Sequence, residues 1–177
     1  MRKIYLIILL LFSILPGCKK SDTTRTSGID TIDNIVYQNS TSYYSLGFSF
    51  NLAKQISNLL NPGPDITLLI IDDTPANRLT LQNDNLADSF FKVGDFQDEA
   101  SAISAFKGLK SVNVPVWQPT ADPINANQVW IYRSGIGNYT KFRIVSTKNE
   151  IRSGTPYGEC TFEWVYQPDG SKTFPGK

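Results

Sequence analysis

The chain has 177 residues, of which 41% are apolar, and its formal charge is +1. It contains no histidine, so the commonest general base and metal ligand are missing, and no Ser-His or Cys-His pair and no histidine-built zinc site is available. The near-neutral charge supplies no strong basic field for nucleic acid.

Arg2 and Lys3 open the sequence, and an apolar run of 12 residues follows from Ile4 to Leu15. That length suits the core of a signal peptide, whereas a membrane-spanning helix needs about 20 residues. Leu15-Pro16-Gly17-Cys18 comes next. The leucine, the small residue and the cysteine resemble the lipobox of bacterial lipoproteins, which implies cleavage before Cys18 and acylation of its thiol. Residues 1–17 are then a signal peptide, and the partner of Cys18 is the lipid bilayer, where two or more acyl chains hold stably and one is marginal. The expected location is the cell envelope, at the outer membrane, with either leaflet open. Cleavage takes Arg2 and Lys3 away and leaves 15 basic against 16 acidic residues. Cys160 then has no cysteine partner within the chain, so no disulfide framework forms.

Residues 18–34 read as the lipidated cysteine and a flexible tether, rich in Ser, Thr, Asp and Lys and without a periodic apolar face. Residues 35–177 are expected to form one domain.

The body shows mainly the two-residue period of strands. Ser45 to Leu52 places Leu46, Phe48, Phe50 and Leu52 on one face. Ile66 to Ile71 is almost wholly apolar, as a central strand buried on both faces would be. Arg78 to Gln82 alternates again. A helix is predicted from about Phe96 to Lys107, capped by Asp95, ended by Gly108, with Phe96, Ala100, Ile103 and Phe106 or Lys107 facing inward. Val114 to Asn127 is a proline-rich loop, as Asn58 to Pro64 is a shorter one. Gln128 to Arg133 and Tyr139 to Thr147 form a predicted hairpin through Ser134-Gly135-Ile136-Gly137-Asn138. Glu159 to Gln167 sets Cys160, Phe162, Trp164 and Tyr166 on one side, with Val165 an apolar exception on the other, before a turn at Asp169-Gly170. The expected fold is mainly antiparallel β, a sandwich or distorted barrel with one or two short helices.

Catalytic and metal signals are weak. Asp72-Asp73 at a strand end and Glu159 with Glu163 on one strand face are the paired acids, read as turn chemistry and a solvated face. Asp72, Asp73 and Asn77 offer oxygen donors at a spacing that matches no calcium motif. Cys160 reads as a buried thiol. Of the tryptophans, Trp117 is the binding candidate because it sits in the proline-rich loop, while Trp164 reads as core. No catalytic residue and no metal site is assigned, and the expected function is non-enzymatic.

Several short stretches, taken together, resemble a known family. They are Val129-Trp130-Ile131-Tyr132, Tyr139 to Ile144, Gly158, Thr161-Phe162, and Tyr166 to Ser171, with a looser likeness at Tyr43 to Leu46 and Asn77 to Leu79. Their order is similar to that of the HmuY-type lipoproteins of Bacteroidetes, over roughly Val36 to Phe174. The resemblance implies an all-β fold, a lipid anchor and the capture of haem. The family's best-known members hold haem iron with two histidines, and some relatives use methionine. This chain has no histidine, and its one methionine is Met1, so no axial residue carries over. Tyrosine or cysteine holds iron in other haem proteins, which leaves Tyr132, Tyr139, Tyr157 and Cys160, beside Trp117, as ligand-binding candidates. The alternative expectation is an accessory lipoprotein that keeps the fold and binds an envelope protein or glycan instead of haem.

Overall fold

The computed structural model describes residues 25–72 and 77–175. The expected signal peptide, Cys18 and residues 19–24 lie outside them, as does Asp73.

The elements run β1 (Ser27–Asp33), β2 (Val36–Gln38), β3 (Tyr43–Ser49), β4 (Lys54–Ser57), β5 (Thr67–Ile71), β6 (Arg78–Gln82), β7 (Phe90–Asp95), α1 (Glu99–Gly108), β8 (Thr120–Ala121), β9 (Gln128–Arg133), β10 (Tyr139–Arg152) and β11 (Thr155–Gln167). All the pairings are antiparallel. A five-stranded sheet has the order β1-β11-β10-β9-β7, and two three-stranded sheets have the orders β2-β3-β4 and β5-β6-β8. None of them closes into a barrel. The architecture is sandwich-like, with one helix among the described residues.

The main core fills the space between one face of the large sheet and the two small ones. Cys160, Phe162, Trp164 and Tyr166 of β11, Phe142 and Ile144 of β10 and Trp130 and Tyr132 of β9 meet Phe48, Phe50, Leu68, Leu79 and Leu81 from the other side. Phe50 is its aromatic hub. Its ring lies 5.4–5.7 Å from those of Phe48, Tyr132 and Trp164, and 6.2–6.4 Å from Phe162 and Phe142. The expected two-residue period therefore holds, because each strand turns alternate residues into this layer.

The far face of the large sheet is covered as well. Helix α1 lays Phe106 on Val129 and Val165, which explains the apolar exception on β11. Residues 109–117 and Phe174 cover Ile131. Lys141 of β10 comes up beneath the helix and donates to the carbonyls of Phe106 (2.8 Å) and Leu109 (2.9 Å). A strand lysine thus satisfies carbonyls that the helix end leaves without partners.

Five expectations are corrected. The tether does not run to Asn34: Ser27–Asp33 is an edge strand that pairs with β11 from Ser27↔Val165 to Asp33↔Glu159. Ile32 enters the core, and Asp30 accepts from the Trp164 indole at 2.7 Å. The helix starts at Glu99 because Asp98, in extended conformation, caps it by accepting from the Ser101 amide. Asp95 ends β7 and instead accepts from Gln128. Ala102 and Phe106 form the buried stripe, whereas Ala100 and Lys107 are exposed. Strand β3 stops at Ser49, where the Phe50 amide turns to the Asp65 carboxylate (2.8 Å), so Leu52 is exposed. Strand β5 lies at the margin of its sheet, and Leu69 to Ile71 are half-buried, since the large sheet covers one of their faces alone.

The large sheet has a long axis. Strands β10 and β11 pair from Tyr139↔Gln167 to Arg152↔Thr155 and turn at Ser153-Gly154, both at positive φ (49° and 81°), as a two-residue hairpin turn requires. The 134–138 loop lies at the opposite end.

Candidate functional site

At the 134–138 end, three chain segments enclose a cleft of about 430 Å³. The end of β3 and the turn after it supply Ser49, Asn51 and Leu52, the 58–65 segment supplies Leu60 and Asp65, and the β9–β10 loop supplies Ile136. The β9–β10 loop is closed by the Ser134 amide on the Asn138 carbonyl (2.9 Å), with Gly137 at φ 84°. The 58–65 segment is tied down by Asn85, whose side-chain amide donates to the Gly63 and Pro64 carbonyls and whose oxygen accepts from the Gly63 amide. The cleft is thus built on braced loops.

Its rim is apolar and open to solvent: Leu52 is 46%, Leu60 55% and Ile136 76% exposed. Its floor is polar. Asp65 accepts from the Phe50 amide and, at 2.9 Å, from the Tyr132 hydroxyl. Burial pushes the Asp65 carboxyl above the usual carboxylate range, against the pull of these donors. The Tyr166 hydroxyl accepts from Asn138 at 2.6 Å, and burial raises that phenol too. Among the described residues no lysine or arginine lines the cleft.

The four tyrosine and tryptophan candidates do not converge. Trp117 stacks on Tyr139 (6.3 Å, 25°) and lies under the Arg133 guanidinium (4.7 Å), so its ring is already engaged by its own chain. Tyr132 is 1% exposed and bonded to Asp65 and Asn83, with its phenol held far above its ordinary value by burial and by the Asp65 charge. Tyr157 is at the far end of the large sheet, donates to Glu159 (2.7 Å) and carries the Arg152 guanidinium on its ring. Cys160 is fully buried in the main core, which pushes its thiol well up.

Haem with ligated iron does not fit this cleft. None of Tyr132, Tyr139, Tyr157 and Cys160 lines the cleft, and the Tyr166 hydroxyl that does is engaged by the Asn138 amide. Among the described lining residues the two carboxylates of haem would meet Asp65 and no cation.

Glu159 and Glu163 do not form a hydrolytic pair. They are four residues apart on β11, about 13 Å along a strand, beyond the roughly 5–10 Å that glycoside hydrolysis uses. Glu163 is paired with Arg143 (3.0 Å), and Asp72 is exposed at the end of β5. Asn77 gives its carbonyl to Asn149. Among the described residues no three acids or cysteines cluster as metal ligands.

Sequence reasoning missed Leu52, Leu60, Asp65, Ile136 and Tyr166 as a group. A signal existed: Leu59-Leu60 and Ile136 are large apolar residues inside segments read as loops, where polar residues are the norm. Compared with known proteins, the chain matches no family model and no curated protein.

Proposed function

We propose that this chain is a lipid-anchored envelope protein of the HmuY-like type whose domain captures an apolar, non-anionic small ligand in the cleft, without chemistry upon it. The observation that carries this reading is the convergence of exposed Leu52, Leu60 and Ile136 on a cavity of about 430 Å³ with a hydrogen-bonded polar floor. Ligand sites combine apolar walls with a few placed polar groups in this way. Asp65 and the lack of a cation among the described lining residues disfavour carboxylates, sulfonates and phosphates, since a buried negative charge is costly without a partner. The anchor rests on Leu15-Pro16-Gly17-Cys18.

The test uses residues 19–177 and a matched pair of fluorescent probes, uncharged N-phenyl-1-naphthylamine and its anionic analogue 8-anilino-1-naphthalenesulfonate, beside haemin. Saturable binding of the uncharged probe, at least tenfold tighter than its analogue and lost in Leu60→Asp and Ile136→Asp, is the expected result. Haemin should give no shifted Soret band. Failure of the uncharged probe to bind overturns the reading, and a sharp band of ligated iron would restore haem as the cargo.

A second reading, a protein or glycan partner in place of a small ligand, draws on the opposite end. There a shallow groove of about 550 Å³ runs past Val36, Leu69, Ile70 and Pro156, and Val36 is 64% exposed. Pull-down from envelope extracts with wild-type protein and Val36→Asp tests it: a partner captured by the wild type and lost by the variant supports it.

A further inference from the structure

Arg25, the first described residue, is held by several contacts. Its guanidinium binds both carboxylate oxygens of Asp30 (2.6 and 2.7 Å), reaches the Ala53 carbonyl (3.3 Å) and lies over the Trp164 ring (5.4 Å). Gly28 leaves the space for it, because a Cβ there would collide with the guanidinium. Ala53 follows Leu52, a rim residue of the cleft. The Thr26 carbonyl accepts from the amide of Tyr166, which also lines the cleft. The polypeptide coming from Cys18 therefore joins the domain beside the cleft.

Two lengths decide what this means. Seven residues lead from Cys18 to Arg25, and a fully extended chain spans at most about 3.3–3.6 Å per residue, or about 25 Å. The Ser153-Gly154 turn is 12 residues along β11 from Tyr166, about 40 Å at the rise of a strand. If that turn rested on the membrane with the sheet upright, Arg25 would stand about 40 Å above the anchor, farther than the tether reaches.

From this we infer that the cleft end of the domain faces the membrane, that the rim of Leu52, Leu60 and Ile136 sits against the lipid surface, and that the ligand passes between the bilayer and the cleft. The inference rests on the proposed anchor at Cys18. Exposed Leu59 (54%) adjoins the rim and adds apolar surface at this end. The far end carries exposed apolar residues too, Val36 and Ile151 among them, so tether length and not apolar surface selects the end. A lipophilic ligand with no negative charge is the kind that partitions into a bilayer core, which matches the lining of the cleft.

The experiment uses the full lipidated protein in phosphatidylcholine–phosphatidylglycerol vesicles that carry a nitroxide-headgroup lipid. Ile136→Cys and Ile151→Cys are labelled separately with a thiol-reactive fluorophore. Both side chains are exposed (76% and 62%), and Cys160 is buried and does not compete. Quenching several-fold stronger at 136 than at 151 is expected. Equal quenching, or stronger quenching at 151, overturns the orientation. Flotation of Cys18→Ser with the same vesicles reports on the anchor separately: a variant that still floats removes the anchor, and the orientation with it. Probe binding by residues 19–177 involves no membrane, so it stands or falls independently.

Discussion

Tyr132 and Asp65 share a 2.9 Å hydrogen bond across the sandwich, joining β9 of the large sheet to the segment that enters β5. The Tyr132 oxygen also accepts from Asn83 (3.0 Å). Tyr132→Phe removes a donor and an acceptor from buried partners, for an expected loss of about 1–3 kcal/mol. Asp65 sets the pH dependence of that loss. Its folded pKa lies above the unfolded value of 3.8, so the native state takes up a proton more readily. Its contribution to stability is therefore greatest at low pH and falls as pH rises through the folded value. Without the tyrosine donor the pKa rises further, and urea unfolding should show a larger gap between variant and wild type at pH 7 than at pH 4.

Lys141 gives a pH effect of the same origin and opposite sign. Burial, with repulsion from Lys110, lowers its pKa to about 8, against some opposition from Glu163. The unfolded chain holds the proton up to about 10.5. Between these values the unfolded state binds more protons, so stability gains from this group as pH rises from about 8 to 10.5. The neutral amine still has hydrogens for the Phe106 and Leu109 carbonyls. Lys141→Met keeps much of the stem's packing and loses both bonds. The expected outcome is lower stability at pH 7.5 and a smaller gain between pH 7.5 and 9.5 than in wild type, read from denaturant midpoints.

The boundary of the folded unit is testable by truncation. A chain beginning at Arg25 should unfold at the same urea concentration as one beginning at Lys19. A chain beginning at Ile35 loses β1, exposes the edge of β11 and leaves the Trp164 indole without its acceptor. It should unfold at a clearly lower midpoint, with Trp fluorescence shifted to the red. Asp30→Ala in the longer chain should reproduce part of the loss, about 1–3 kcal/mol.

Gly47 permits the close approach of β3 to the 64–66 segment. A Cβ there would collide with the Ile66 carbonyl and the Pro64 ring, and that carbonyl accepts from the Phe48 amide at 2.8 Å. Backbone cannot swing aside as a side-chain tip can. Gly47→Ala should cost at least about 2 kcal/mol and loosen the cleft wall, so that binding of the uncharged probe weakens at temperatures where the variant is still folded.

Much of the sheet was legible because alternation is a local property. The faces of β11 and of the first half of β10 follow from residues two apart, and the 134–138 loop and the turn at Asp169 follow from their Gly, Asn and Asp residues. The helix was legible as an element, but its start was not. Asp95 and Asp98 are equally good caps by local rules, and the pairing of Asp95 with Gln128 across the sheet decides between them. The first strand was illegible for a similar reason. Ser27 to Asp33 is polar and follows a polar stretch, and its partner is some 130 residues away.

The sequence by itself determined the mainly antiparallel β character, the inward aromatic faces and the absence of histidine from any site, because these depend on residue identity and short-range period alone. The tertiary structure decided which aromatics are spent on packing, which loops converge on the cleft, and that Arg25 is docked beside it. Those outcomes depend on contacts between segments tens of residues apart, such as Tyr132 with Asp65 and Trp164 with Asp30. No local pattern encodes such contacts, because each partner's position is set by the packing of all the strands between them.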